Sequence, residues 1–239
     1  MNTKLMKNPN PTNRFRRTGF TLIELLVVIA IMGILAALIF PAVSGIKTRA
    51  ARAKAQAELK QVEAAIESYK AKYGHYPPDN HPPNQLVIPE LNQLLYELQG
   101  TFQTNVGGVA VFQTLDGRAT IPVASVSTWF GAGVGGFVNC TKAGGGDDFA
   151  AAQNFLSGLR PGQYGFLATG VGLLTTSVIW PKNRGPVFAG WPDELNPIRY
   201  NSSSPTHNSK SYDLWVDILA GGKTNRISNW SPQPETVSY

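Results

Sequence analysis

Cysteine is nearly absent from this 239-residue chain, in which Cys140 is the only one, so no disulfide can form within it. A lone thiol of this kind is usually buried. Histidine is scarce as well, with three residues. The hydrolase motifs GxSxG and HExxH and the phosphate-binding motif GxxxxGK[ST] do not occur. The Gly-rich runs GAGVGG and AGGGDD are interpreted as flexible loops, and the sequence predicts no enzyme.

Charge is also sparse, at 15% of residues, although the formal net charge is +6. Five of the 21 basic residues lie in residues 1–19, which contain no acid, leaving 16 basic against 15 acidic residues beyond them. The basicity therefore belongs to the N-terminal leader. No basic stripe of the kind that binds phosphates is expected elsewhere, and no nucleic-acid partner is expected.

One long hydrophobic run is present, from Phe20 to Phe40, with Glu24 as its only ionisable side chain. About 20 apolar residues suffice to span a bilayer, so residues 20–41 are predicted to form a transmembrane helix. A secretory signal peptide fits less well, since its apolar core is only about 7–15 residues long. The basic leader should stay cytoplasmic and the rest of this single-pass chain should be exported.

An acid inside such a span costs roughly 2.5–3.5 kcal/mol, which makes Glu24 a candidate functional residue. The alternative is that Glu24 stays hydrated at the membrane surface. Cleavage after Gly19 would create a cation at the same depth, the new amino group of Phe20. Glu24 of one subunit could then pair with Phe20 of a neighbour.

The stretch RRTGFTLIE, residues 16–24, resembles the type III signal of type IV pilins and of type II secretion pseudopilins. The resemblance implies that a membrane-embedded prepilin peptidase cuts between Gly19 and Phe20 and methylates the amine of Phe20. It also implies that Glu24 guides assembly. Pro41 matches the family's proline at the outer end of the span, where the loss of one backbone hydrogen bond kinks the helix.

An amphipathic stalk helix is predicted for residues 42–73. Apolar side chains recur there at steps of three and four, namely Leu59, Val62, Ile66, Tyr69 and Tyr73. Gly74 is a good residue to end the helix. Together with the span, this helix would run for about 80 Å, and a globular domain must pack on its apolar stripe.

Residues 74–239 are predicted to form the exported domain, in which about 84–180 are a loop-rich insertion. Within it, helices are expected over 89–100 and 147–159, the latter capped by Asp147 or Asp148. Strands are expected at 109–113 and 121–127, and buried strand and turn at 164–180. The predicted fold class is α+β, a long N-terminal helix packed on a small antiparallel sheet.

The C-terminal segments 184–200 and 211–230 resemble the C-terminal part of the major pseudopilin of type II secretion. A strand is expected from Tyr212, with Asp213 and Asp217 on a different face from Leu214. The family's last loop binds calcium through oxygen ligands, which makes Asp213 and Asp217 weak Ca²⁺ candidates. Here that loop carries Lys223 and Arg226 and no acid, so a turn at Gly221–Gly222 without metal is favoured, and no cofactor is expected.

These observations favour a pseudopilin, a structural subunit of a type II secretion-like periplasmic filament anchored in the inner membrane. The implied partners are the prepilin peptidase, copies of the chain, other pseudopilins and an inner-membrane assembly platform. One alternative is a type IV pilus subunit. Another is a membrane-tethered module that recognises a secreted substrate or a glycan through its tryptophans, Trp129, Trp180, Trp191 and Trp215.

Overall fold

The computed structural model describes residues 19–80, 88–141, 151–181, 191–192 and 194–238, and for residues 38–44 it describes the backbone alone. The chain divides into two compact units, Met1–Val43 and Ser44–Tyr239. The leader before Gly19 and the Asp147–Asp148 pair lie outside the described residues.

The first helix, α1, covers Leu22–Tyr73 and matches the predicted long helix closely at both ends. It ends where Gly74 adopts a φ of 81°, and the Gly74 N–H donates to the Lys70 carbonyl oxygen at 2.8 Å. This left-handed conformation costs glycine little, which explains the stop. The predicted stripe is confirmed, since Leu59, Val62, Ile66 and Tyr69 are buried and Tyr73 packs against the same core.

Part of the predicted insertion forms a four-stranded sheet with strand order β3-β2-β1-β4. Its strands are β1 (Thr101–Val106), β2 (Val109–Thr114), β3 (Thr120–Pro122) and β4 (Cys140–Thr141). The pair β1–β2 is an antiparallel hairpin whose turn is Gly107–Gly108, while β4 runs parallel to β1. The predicted strand at 109–113 is confirmed as β2, and Cys140 is half-buried.

The expected strand at 121–127 is only partly correct. Strand β3 ends at Pro122, and helix α3 (Val123–Phe130) follows directly. Val126 and Phe130, four residues apart, are fully buried on one face of α3. The valines Val123 and Val126 favour a strand locally. The helix instead places Val126 and Phe130 together in the core, and this burial outweighs the local preference.

Helix α2 (Leu94–Gln99) is shorter than the predicted helix over 89–100. The Asn92 side-chain amide donates to the carbonyl oxygens of Pro89 and Ile198, each at 2.8 Å, which holds the preceding residues in a turn. Leu94, Leu95 and Leu98 are buried as expected.

The predicted helix over 147–159 is wrong in its described part, since residues 151–159 contain no helix. Several of their backbone N–H groups donate to other segments instead of to the preceding turn. The Phe155 N–H bonds to the Leu98 carbonyl oxygen at 2.8 Å, and the Gln153 N–H bonds to Asn139 Oδ1 at 2.9 Å.

Segment 164–180 contains a two-stranded antiparallel sheet, β5 (Tyr164–Phe166) and β6 (Gly172–Leu174), as the interpretation of buried strand and turn predicts.

The C-terminal sheet is antiparallel, with strand order β10-β9-β8-β7. Its strands are β7 (Arg199–Asn201), β8 (Asp213–Ala220), β9 (Lys223–Ser228) and β10 (Glu235–Thr236). The β8–β9 turn has positive φ at Gly221 (64°) and Gly222 (73°), the geometry of a tight two-residue hairpin.

One hydrophobic core joins these elements in the second unit. It contains Leu59 and Ile66 of α1, Leu98 of α2, and Leu214 and Val216 of β8. The molecule is therefore α+β, with the long helix packed on small sheets whose strand pairs are antiparallel except for β1–β4.

Candidate functional site

The candidate cleavage point lies just before α1. Gly19 and Phe20 are outside any helix or strand, and the Phe20 side chain is 78% exposed. A side-chain carbon added at Gly19 would meet no heavy atom within 4 Å, and no positive φ is recorded there. Among the residues that the structure describes, nothing requires glycine at this position.

Glu24 closes the first turn of α1 onto Thr21. The Thr21 N–H donates to Glu24 Oε2 at 2.8 Å, the Thr21 hydroxyl donates to the same oxygen at 2.7 Å, and the Glu24 N–H donates to Thr21 Oγ1 at 3.3 Å. This is a reciprocal capping box, in which two otherwise unpaired N–H groups of the helix start are satisfied. Glu24 forms no ion pair in the part of the chain that the structure describes.

The rest of the first unit presents apolar side chains outward on all sides of the helix. From Leu22 to Leu35 the large hydrophobic side chains are between 40% and 81% exposed. Among the described residues, no helix has both the length and the apolarity that a membrane crossing requires. The predicted span reaches residue 41, and the predicted kink at Pro41 falls where the backbone alone is described.

The N-terminal region matches a known family of sequence motifs. Residues 14–40 match the family described as the prokaryotic N-terminal methylation motif. The chain carries this methylation motif. The match includes the glycine, the phenylalanine and the glutamate singled out from the sequence.

The curated relatives share one name, type II secretion system core protein G. The chain is 43% identical over 63 residues to type II secretion system core protein G of Pectobacterium carotovorum subsp. carotovorum, covering 26% of this chain and 40% of the relative. It is 40% identical over 72 residues to the core protein G of Escherichia coli (strain K12), covering 30% and 50%. It is 36% identical over 77 residues to the core protein G of Vibrio cholerae serotype O1, and this match covers 32% of this chain and 53% of the relative.

The similarity is therefore confined to part of each protein, since the chain spans about half or less of the length of these relatives. No solved structure matches the chain. The methylation motif is the best-supported site, and the similarity to these three relatives covers 26–32% of the chain.

The two weak calcium candidates lie on β8, and protein donors engage both carboxylates. The Asp213 carboxylate accepts backbone N–H bonds from Thr206, His207 and Asn208 at 2.7–2.9 Å. Burial raises the pKa of Asp213, but these donors outweigh it and hold the pKa below its ordinary value.

Asp217 is fully buried among arginines. Arg226 donates to both of its oxygens, at 2.9 and 3.0 Å, and the Arg199 guanidinium lies 3.5 Å from Oδ2. Within the described ranges, no group of three or more His, Cys, Asp or Glu side chains could hold a metal ion. The geometry of Asp213 and Asp217 is that of structural carboxylates.

The tryptophans considered for glycan stacking mostly contribute to packing. Trp180 is 3% exposed, and Trp129 and Trp191 pack half-buried against the core. Trp215 stands edge-on to Trp230, with ring centroids 5.6 Å apart. None of these four rings presents a largely exposed face.

One Gly-rich run has the spacing GxGxxG, at residues 131–136. The spacing signals a phosphate-binding turn only between a strand and a helix. Here the run follows helix α3 and leads towards strand β4, so the structural context for such a turn is missing.

A buried acid that sequence reasoning missed is Glu97 of α2. Its carboxylate accepts the N–H groups of Val138 and Asn139, at 2.8 and 2.9 Å, and the hydroxyl of Tyr69 at 3.1 Å. Burial raises the pKa of Glu97 in spite of these donors. No local signal marks it, since a glutamate between Tyr96 and Leu98 would be expected on the exposed face of a helix.

Proposed function

We propose that this chain is a pseudopilin, a structural subunit that assembles through its N-terminal helix into a type II secretion-like periplasmic filament. The observation that carries the proposal is the methylation motif at the start of an outward-facing apolar helix. The partial similarity to type II secretion system core protein G supports a structural role rather than catalysis. A type IV pilus subunit is less well supported, because these relatives are named for secretion.

The proposed maturation is cleavage of the Gly19–Phe20 peptide bond by a prepilin peptidase, followed by methylation of the Phe20 amine. A protease needs its target bond in an accessible, non-helical segment, and Gly19 and Phe20 meet that requirement. Because the fold leaves open space at Gly19, the glycine is explained by the needs of a peptidase rather than by those of the chain.

The proposed assembly contact joins Glu24 of one subunit to the Phe20 amine of the next. In the uncleaved chain, the carboxylate is held at the helix start by Thr21. Cleavage adds a cation one turn away, and adjacent subunits in the inner membrane would neutralise each other. The remaining proposed partners are other pseudopilins and an inner-membrane assembly platform.

Mass spectrometry of the protein from peptidase-competent cells tests the proposal. We expect a mature chain that begins at Phe20 with a methylated amine. The Gly19→Val variant should remain uncut, while Gly45→Val, a control at which an added side chain also meets open space, should be processed normally. An intact leader on the wild-type chain in such cells would overturn the proposal.

A further inference from the structure

The exported flank of the apolar segment is basic. Between Glu24 and Glu58 the chain contains no acid, and its cations are Lys47, Arg49, Arg52 and Lys54. Exported flanks of membrane segments are normally poor in Lys and Arg, which favour the cytoplasmic side. Cations retained on this side therefore call for an anionic partner.

The two cations nearest the apolar segment lack the side-chain contacts that cations farther along α1 make. Lys60 pairs with Glu63 at 2.6 Å, Lys70 donates to the Tyr76 hydroxyl, and Lys72 donates to the Ala151 carbonyl oxygen. Lys47 and Arg49 are exposed and form no hydrogen bond or ion pair with any residue that the structure describes.

A third cation joins them from the C-terminal sheet. The β8–β9 turn lies against α1, because a side-chain carbon at Gly221 would be 3.1 Å from Thr48 Oγ1. Arg52 fixes the same hairpin by donating to Asn225 Oδ1 at 2.6 Å. Lys223, the first residue of β9, is therefore held beside this part of α1, where it too is exposed.

Two large apolar side chains are exposed in the same region. Ile46 is 65% exposed and Ile179 is 72% exposed. Ile179 borders a mainly apolar groove of about 290 Å³ that is also lined by Ala50 and Ala51 of α1. We call this surface the basic collar, comprising Ile46, Lys47, Arg49, Ile179 and Lys223.

We propose that the basic collar binds the anionic phospholipid headgroups of the membrane that holds the apolar segment. The proposal rests on the membrane anchoring in the proposed function. Cations beside exposed aliphatic side chains are the pattern of surfaces that lie at a lipid interface. The lysines and the arginine would bond lipid phosphates, while the two isoleucines would enter the boundary between headgroups and acyl chains.

An acidic surface of a second copy is the competing occupant of this surface. It would match the three cations but leave both isoleucines in water. A lipid interface takes up the cations and the isoleucines together, which is why the lipid surface is favoured. Charge attraction to an anionic membrane changes partitioning by about fivefold per Lys or Arg near the surface.

Nanodiscs made of phosphatidylcholine and phosphatidylglycerol test the proposal with the full mature chain. The measured quantity is the enrichment of phosphatidylglycerol among the lipids that stay bound in native mass spectrometry. The collar variant combines Lys47→Gln, Arg49→Gln and Lys223→Gln. The matched control combines Lys60→Gln, Lys72→Gln and Lys210→Gln, which remove the same charge elsewhere.

Wild type and control should enrich phosphatidylglycerol, and the collar variant should lose that preference by about tenfold or more. Equal enrichment in the two variants, or none in wild type, would overturn the proposal. So would reduced self-association of the collar variant in pure phosphatidylcholine discs with its lipid preference unchanged. Failure of the wild-type chain to enter discs would count instead against membrane anchoring.

Discussion

Glu24 has a partner within its own chain, apart from the contact proposed for it in a filament. Its carboxylate caps α1 through Thr21, and loss of such a cap costs about 0.5–2 kcal/mol. Pairing with the Phe20 amine of a neighbour requires in addition a negative charge. An alanine substitution removes both interactions together and cannot separate them.

Glu24→Gln separates them, because the amide oxygen can still accept the Thr21 N–H while the charge is gone. We expect Glu24→Gln and Glu24→Ala to lower the yield of sheared filaments equally, by about tenfold or more, since breaking a buried ion pair costs about 3–5 kcal/mol. The control is Glu235→Gln, at the exposed C-terminal strand. Wild-type filament yield from Glu24→Gln would mean that only the cap matters.

The residues of the N-terminal motif could be found from the sequence because the motif is defined by residues close together in the chain. A glycine, an apolar residue and a glutamate keep fixed spacing at the edge of one apolar run. The basic collar was not predictable in this way. Lys47 and Arg49 are visible as charges, but Lys223 joins them only because the β8–β9 turn folds back onto Thr48.

At the scale of elements, α1 was predictable because its periodicity continues until Gly74 ends it. The segments that were predicted wrongly are those whose backbone is held by distant partners. Phe155 donates its N–H to Leu98 across the fold, so local propensity could not show that residues 151–159 would avoid a helix. Likewise, α3 depends on Phe130 reaching a core that its local sequence does not reveal.

Glu97 ties its own helix α2 to two other elements, because its carboxylate accepts hydrogen bonds from Tyr69 of α1 and from Val138 and Asn139 before β4. In Glu97→Gln, one of these donors would face an amide NH₂ group. The free energy of unfolding should therefore fall by about 1–3 kcal/mol near neutral pH, measured by urea denaturation. Exposed Glu235→Gln should leave the free energy of unfolding unchanged.

The pH dependence of the same variant has a definite sign. Burial raises the pKa of Glu97 above 4.5, so the folded state holds this proton more tightly than the unfolded state. The contribution of the protonated Glu97 carboxyl to the free energy of unfolding is complete below the pKa that Glu97 has in the unfolded state. It is lost as the pH rises through the pKa of Glu97 in the folded state. The advantage of wild type over Glu97→Gln should shrink as pH rises above about 4.5. A growing advantage would show that the carboxylate is the preferred form.

At the scale of the whole molecule, the hydrophobic core and the exposed apolar surface lie in different units. Every residue of the core cluster falls between Ala51 and Ile227, within the unit Ser44–Tyr239. The first unit instead exposes its apolar side chains. In the proposed function this surface is covered by membrane lipid or by neighbouring subunits, whereas the described core of the second unit is built from that unit's own residues.

A chain that begins at Ser44 should consequently fold by itself. We expect its thermal midpoint to lie within about 2–4 °C of that of the full chain in detergent, which corresponds to about 1 kcal/mol for a domain of this size. The full chain should aggregate without detergent and the truncated chain should not, as light scattering would show. The variant Ile66→Ala in the truncated chain is the positive control for a damaged core, and it should cost about 2–5 kcal/mol. A truncated chain that melts without cooperativity would mean that residues before Ser44 contribute to the core, and the division into an assembly helix and an independently folded domain would then fail.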